Sequence, residues 1–260
     1  MTTTAPPASA HHGATAGAGA RPPLHRLVLV ELRKMTDTRA GFWLLVTTFL
    51  IAGAGLTLMA SFAPPDERTL AGFFRAALDI TGLIAPVLGI LVVTSEWSQR
   101  TALTTFALVP RRGRVVGAKA LAVVSFAVVL ALVCLQLAVV AALLSPGDDA
   151  WDLSLGAFAT GVLLQTLGVT GGFAIGLALL RSAPAIVFAY VLPIAFAILG
   201  EAIPGFRDTA DWLDTTAPAE ALWDDTGDRT AWAQLLTSWT LWLGVPLAIG
   251  LARVRRAEVA

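Results

Sequence analysis

The sequence predicts an all-α, polytopic membrane protein with six transmembrane helices. Of its 260 residues, 56% are hydrophobic and 14% are charged, whereas an ordinary soluble domain has about 25% charged residues. The mean hydropathy is +0.74. A transmembrane helix needs roughly 20 mostly apolar residues, and six segments meet this requirement. These spans are 41–62, 76–95, 120–144, 153–180, 183–200 and 231–252, within a transmembrane domain of residues 41–256.

The basic residues predict the orientation of the spans. With six spans, both termini and the 96–119 connection lie on one side of the membrane. That side holds all of the 18 Lys and Arg residues except Arg68, Arg75, Arg207 and Arg229. Short loops rich in Lys and Arg stay in the cytoplasm. We therefore expect a multi-pass protein with both termini cytoplasmic.

Two segments precede the first span. Residues 1–23 are rich in Ala, Thr, Gly and Pro and lack the apolar core of a signal peptide, so we expect a disordered cytoplasmic tail. Residues 24–40 are predicted to form an amphipathic helix on the inner leaflet, with Lys34 on its polar side. Glu31 projects from the apolar side. It either binds a partner, such as an arginine of the 96–119 connection, or reaches solvent.

Polar side chains within the spans are candidate functional residues because they are costly in a bilayer. Asp79 in the second span either marks a site or pairs with Arg75 near the membrane surface. Gln165 in the fourth span either lines a path or hydrogen-bonds a neighbour. Together with Tyr190 in the fifth span and Glu201 after it, Gln165 is a candidate for a pathway or its gate.

Small residues predict how the fourth span packs, and the composition of the 201–230 segment predicts what precedes the last span. Gly168, Gly172 and Gly176 form a GxxxGxxxG pattern, which predicts close packing of the fourth span on another helix. The 201–230 segment is acidic but also contains tryptophan, leucine and phenylalanine. A plain loop of this length is uncommon, so we expect short extracellular helices before the last span.

The motifs of several enzyme classes do not occur in this sequence. It contains no GxxxxGK[ST], HExxH or GxSxG pattern. Cys134 is the only cysteine, which excludes an internal disulfide and a cysteine-based metal site. We therefore expect no catalytic residues, no metal site and no cofactor in this chain, and hence no enzymatic activity of its own.

The 96–119 connection is more than a topology signal. It begins with Glu96, continues with threonines, an aromatic residue and a proline, and ends in basic residues. A helix from about Thr101 to Leu108 would present Leu103, Phe106 and Ala107 to a partner groove. An ordinary positive-inside loop is the alternative, but it would need only the charges.

The order of these segments resembles that of a type-two ABC transporter permease over roughly residues 24–256. The similarity is carried by "ELRKMTDTR" at 31–39 and by "SEWSQRTALTTFALVPRRGRVVGAK" at 95–119. The matching residues are Glu31, Lys34, Glu96, Thr101, Pro110, Arg111, Arg112 and Lys119. Arg100 departs from the pattern, because members commonly have glycine there.

The resemblance implies a function for the 96–119 connection. It would be a coupling segment that docks on a separate ATP-binding subunit, with Glu96 and Arg100 among its contact residues. ATP and magnesium would reside in that subunit. The chain would pair with a second permease, identical or paralogous, in a bacterial plasma membrane, contact membrane lipids and bind no nucleic acid. It would export substrate by alternating access. A non-transporting membrane scaffold or immunity protein that binds a partner is the alternative.

Overall fold

The computed structural model describes residues 23–98, 112–203, 205–223 and 228–256. These ranges contain helices joined by short turns and no strand, which confirms the predicted all-α class. The helices are α1 (Leu24–Asp37), α2 (Arg39–Phe62), α3 (Leu70–Ser98), α4 (Arg112–Leu144), α5 (Leu155–Leu179), α6 (Ser182–Ala202), α7 (Arg207–Leu213), α8 (Thr216–Trp223), α9 (Arg229–Trp239) and α10 (Val245–Arg256).

Six helices are long and apolar enough to cross a membrane, as predicted. They are α2 to α6 and the continuous helix Arg229–Arg256, in which a π-helical turn, Thr240–Gly244, joins α9 to α10. Two short helices, α7 and α8, precede this last span. The fold is therefore that of a polytopic membrane protein.

Local capping explains where several helices begin. Thr38 separates α1 from α2 and accepts a hydrogen bond from the Gly41 N–H at 3.1 Å. Asp228 caps α9 by accepting hydrogen bonds from the N–H groups of Thr230 and Ala231. The backbone N–H of Ala231, above all, lowers the pKa of the Asp228 carboxyl. Polar capping residues, rather than the edge of the apolar run, thus fix these helix starts.

Helix α3 lies at the centre of the bundle and packs on α2, α4 and α5. The approach of α3 to α5 depends on glycine, because a Cβ atom at Gly172 would overlap the Pro86 carbonyl oxygen. A Cβ at Gly176 would lie 3.0 Å from backbone atoms of Ile90. Gly168, predicted to pack with them, differs: a Cβ there would meet no atom within 4 Å. Two of the three glycines therefore face α3 closely.

The two ends of the bundle differ in charge. We call the end that holds α1, the start of α4 and the last turn of α10 the basic end. The opposite end, which holds α7, α8 and the turn between α4 and α5, is called the acidic end. At the acidic end, α8 packs its Trp223 ring on Phe74 of α3 at 6.1 Å between ring centroids. The short helices are therefore part of the packed bundle.

Candidate functional site

Four charged side chains meet at the basic end, and we call them the charge cluster. Lys34 Nζ on α1 lies 2.8 Å from Glu31 Oε1 and 2.7 Å from Glu96 Oε1 of α3. Lys119 Nζ on α4 lies 2.6 Å from Glu31 Oε2 and 3.0 Å from Glu96 Oε1. Each lysine thus contacts both glutamates, and the cluster joins three helices with no net charge.

The cluster is buried on the side of α3 and α4 and open to solvent on the side of α1. The side chain of Lys119 is 5% exposed, whereas that of Lys34 is 43% exposed. Lys119 Nζ also donates to the Val92 carbonyl oxygen at 3.0 Å, so its three N–H donors face three acceptors. A buried ammonium needs this complete set of partners, because an unpaired charge in the interior is strongly destabilising.

The sequence of α1 makes its two members of the cluster neighbours on the helix surface. Glu31 and Lys34 are three residues apart and form an i,i+3 pair. Glu31 is buried together with Met35, which packs into the hydrophobic core. Burial tends to lower the pKa of Lys34, but hydrogen bonds and charges from Glu31 and Glu96 outweigh it and raise the pKa. Lys34 therefore stays charged at neutral pH.

The observed environment of Glu31 resolves the two alternatives left by the sequence. The side chain does not reach solvent, so that alternative is wrong. Its partners are Lys34 and Lys119, and neither is an arginine of the connection. The acid on the apolar side of an amphipathic helix indicated that Glu31 has a partner. The sequence did not identify Lys119 as that partner.

The charge cluster brackets the connection between α3 and α4. Glu96 is the first residue of the 96–119 connection and Lys119 is the last, so the cluster ties both of its ends to α1. The other predicted coupling residues lie outside the described residues: Arg100, Thr101, Leu103, Phe106, Pro110 and Arg111. Arg112 is the first residue of α4. Their proposed contacts stay predictions.

The predicted pathway residues lie elsewhere in the bundle. Gln165 lines a cavity between α3 and α5 together with Gly168. The Tyr190 hydroxyl of α6 donates to the carbonyl oxygen of Leu83 on α3 and so links the peripheral α6 to the centre. Glu201 lies in the last turn of α6. The structure therefore brings Gln165 and Gly168 together and keeps them separate from the charge cluster.

The cluster is structural and electrostatic in character. Within the described ranges, no group of three or more His, Cys, Asp or Glu side chains is placed to hold a metal ion. Comparison of the chain with protein-family models and with curated proteins gives no match. What the cluster can do is hold α1, the end of α3 and the start of α4 in one fixed arrangement.

Proposed function

We propose that this chain is a membrane permease subunit of a bacterial ABC transporter, exporting its substrate by alternating access. A separate ATP-binding subunit would supply the energy. The observation that carries the proposal is the charge cluster, which connects the amphipathic α1 to both ends of the 96–119 connection. The excess of Lys and Arg at this end supports a cytoplasmic position, where ATP is found.

The geometry supports a mechanical role for the connection. A force on it reaches Glu96 at the end of α3 and Lys119 near the start of α4. Glu96 is bound to Lys34 of α1, and Lys119 is bound to Glu31 of α1. Pulling these helices apart would separate buried opposite charges, which is unfavourable in a low dielectric. The three helix ends therefore move together, and α3 transmits the movement to α2 and α5, on which it packs.

The other subunits of the proposed transporter would be separate chains. ATP and magnesium would bind to the ATP-binding subunit, and a second permease, identical or paralogous, would complete the membrane unit. Two spans support this pairing, because α2 and α6 have the least buried apolar stretches of the six, at 17% and 6%. Their surfaces face either lipid or another permease.

The decisive experiment tests the partner and the coupling together. The chain is co-expressed with the product of a neighbouring reading frame that carries a GxxxxGK[ST] motif, and the complex is purified into lipid nanodiscs. ATP hydrolysis is compared between the complex and the free ATP-binding subunit. Glu96→Gln removes one charge of the cluster, and Asp37→Asn on the exposed side of α1 is the matched control. A cysteine in place of Ala107 reports docking by crosslinking.

We expect the permease to change the rate of ATP hydrolysis, and Glu96→Gln to abolish that change while the complex still forms. Asp37→Asn should behave as the unmodified chain. Equal hydrolysis rates for the two variants would contradict coupling through the cluster. If no ATP-binding subunit co-purifies and no crosslink forms at or near Ala107, the permease proposal fails and a non-transporting scaffold becomes the better reading.

A further inference from the structure

A second site lies far from the charge cluster, in the half of the bundle nearer the acidic end. It is a cavity of about 240 Å³ between α3 and α5, and α8 covers part of it with the ring of Trp223. Asp79 and Gly82 of α3 line one wall, and Gln165 and Gly168 of α5 line the other. We call it the Gln165 cavity. Polar groups at this depth of a membrane protein usually mark a binding site or a pathway.

The polar groups of the Gln165 cavity are hydrogen-bond acceptors. Gln165 is only 5% exposed, and its Nε2 donates to Thr81 Oγ1 at 3.4 Å. No group in the described part of the chain donates to its Oε1. Gly82 lies four residues before Pro86, which has no N–H, so the Gly82 carbonyl lacks its usual helical donor. The Asp79 carboxylate adds a negative charge, and its side chain is 68% exposed.

Arg75 lies beside Asp79 but is not part of the cavity wall. Arg75 Nε lies 3.9 Å from Asp79 Oδ2, which is long for an ion pair, and its guanidinium carbon is 5.9 Å from the Trp223 ring centroid. Asp79 lines the cavity, whereas Arg75 does not. Among the described residues, the charged side chain that lines the cavity is therefore a carboxylate, which attracts a cation.

The shape of the cavity selects the size of that cation. A Cβ at Gly168 would meet no atom within 4 Å, and a Cβ at Gly82 would lie 3.7 Å from Gln165 Oε1. The two glycines therefore keep space open beside the acceptors. A volume of about 240 Å³ far exceeds what one water molecule needs, and hence what a bare metal ion needs. The Trp223 ring offers an aromatic face to an organic cation.

We propose that the Gln165 cavity binds an organic cation with an ammonium head and an apolar body. The head donates hydrogen bonds to Asp79, Gln165 Oε1 and the Gly82 carbonyl oxygen. The body lies against the leucine side chains of the cavity wall and the Trp223 ring. Treating this ligand as the transported substrate rests on the proposed function, whereas binding by the isolated chain does not.

Binding is measured with the full chain alone in nanodiscs of zwitterionic phosphatidylcholine. The probe is dansylcadaverine, a fluorescent primary amine, and its N-acetylated form is the neutral control. Asp79→Asn removes the charge without changing the shape, and Glu67→Gln in the exposed turn before α3 is the matched control. Gly168→Leu fills the cavity from a position with free space, so it stays informative if Asp79→Asn does not fold.

We expect saturable binding of the amine, at least roughly tenfold weaker in Asp79→Asn, because a hydrogen bond to a charged group is lost. Gly168→Leu should abolish binding, and Glu67→Gln should leave it unchanged. Equal affinities for the amine and its acetylated form, or displacement by sodium alone, would overturn the inference. If the ATP-binding subunit does not associate with the chain in the co-expression experiment, the permease proposal is refuted. The amine-binding result is independent of that outcome.

Discussion

Replacing Lys119 by methionine should destabilise the protein far more than replacing Lys34. Lys119 is almost fully buried and gives its three N–H donors to Glu31, Glu96 and the Val92 carbonyl. Its removal leaves two buried carboxylates facing one lysine, which costs about 3–5 kcal/mol. Lys34→Met also leaves the two carboxylates facing one lysine, but on the side of α1 that is open to solvent. Because the Lys34 side chain is 43% exposed, water can take its place beside the carboxylates, and we expect a loss of about 1 kcal/mol or less.

Equilibrium unfolding by sodium dodecyl sulfate in mixed micelles measures both effects, with the fluorescence of the eight tryptophans as the signal. The double variant Glu31→Gln, Lys119→Met leaves the neutral pair of Lys34 and Glu96. It should be more stable than the sum of the single losses by about 1–3 kcal/mol, as expected for groups in direct contact. Equal losses for Lys119→Met and Lys34→Met would refute this reasoning. A coupling energy below about 0.5 kcal/mol would also refute it.

Two further predictions concern the packing of the core. Gly172→Ala should destabilise by about 1–3 kcal/mol because its methyl group meets the Pro86 carbonyl, whereas Gly168→Ala should be neutral or stabilising by up to about 1 kcal/mol. Thermal midpoints in detergent distinguish them, and an equal fall for both would show that α3 and α5 do not meet as described. Cys134 is fully buried, so a maleimide should label it only after unfolding. Rapid labelling of the native protein would contradict its position.

Hydropathy was enough to predict the six spans, but it could not find every helix boundary. The span predicted at 76–95 is helical from Leu70 to Ser98, because Thr69 caps the helix start by accepting from the Gly72 N–H. The span predicted at 120–144 begins at Arg112 and so includes a polar, basic first part. A hydropathy window detects the residues that fit the apolar core of a bilayer. The helix extends beyond them for as long as its backbone hydrogen bonds continue.

The sequence indicated some members of the charge cluster but not the contacts between them. An acid on the apolar side of α1 indicated that Glu31 needs a partner, and Glu96 was a candidate through the family resemblance. Lys119 was also matched to the family pattern, but its contact with Glu31 was not predicted, since nothing in a single sequence reveals a contact across 88 positions. The difference between Gly168 and Gly172 was equally hidden, because the spacing of small residues fixes a helix face but not what lies opposite each one.

The π-helical turn at Thr240–Gly244 sets the rotation of the last span. Such a turn acts as one inserted residue, and each residue of an α-helix advances the side-chain direction by about 100°. Before it, α9 packs on α7 and α8, and within it the indole N–H of Trp242 donates to the Leu213 carbonyl. Beyond it, Arg253 donates to the Ala178 carbonyl at the end of α5. Deleting one residue here would turn α10 by more than a quarter of a revolution and point Arg253 away from α5.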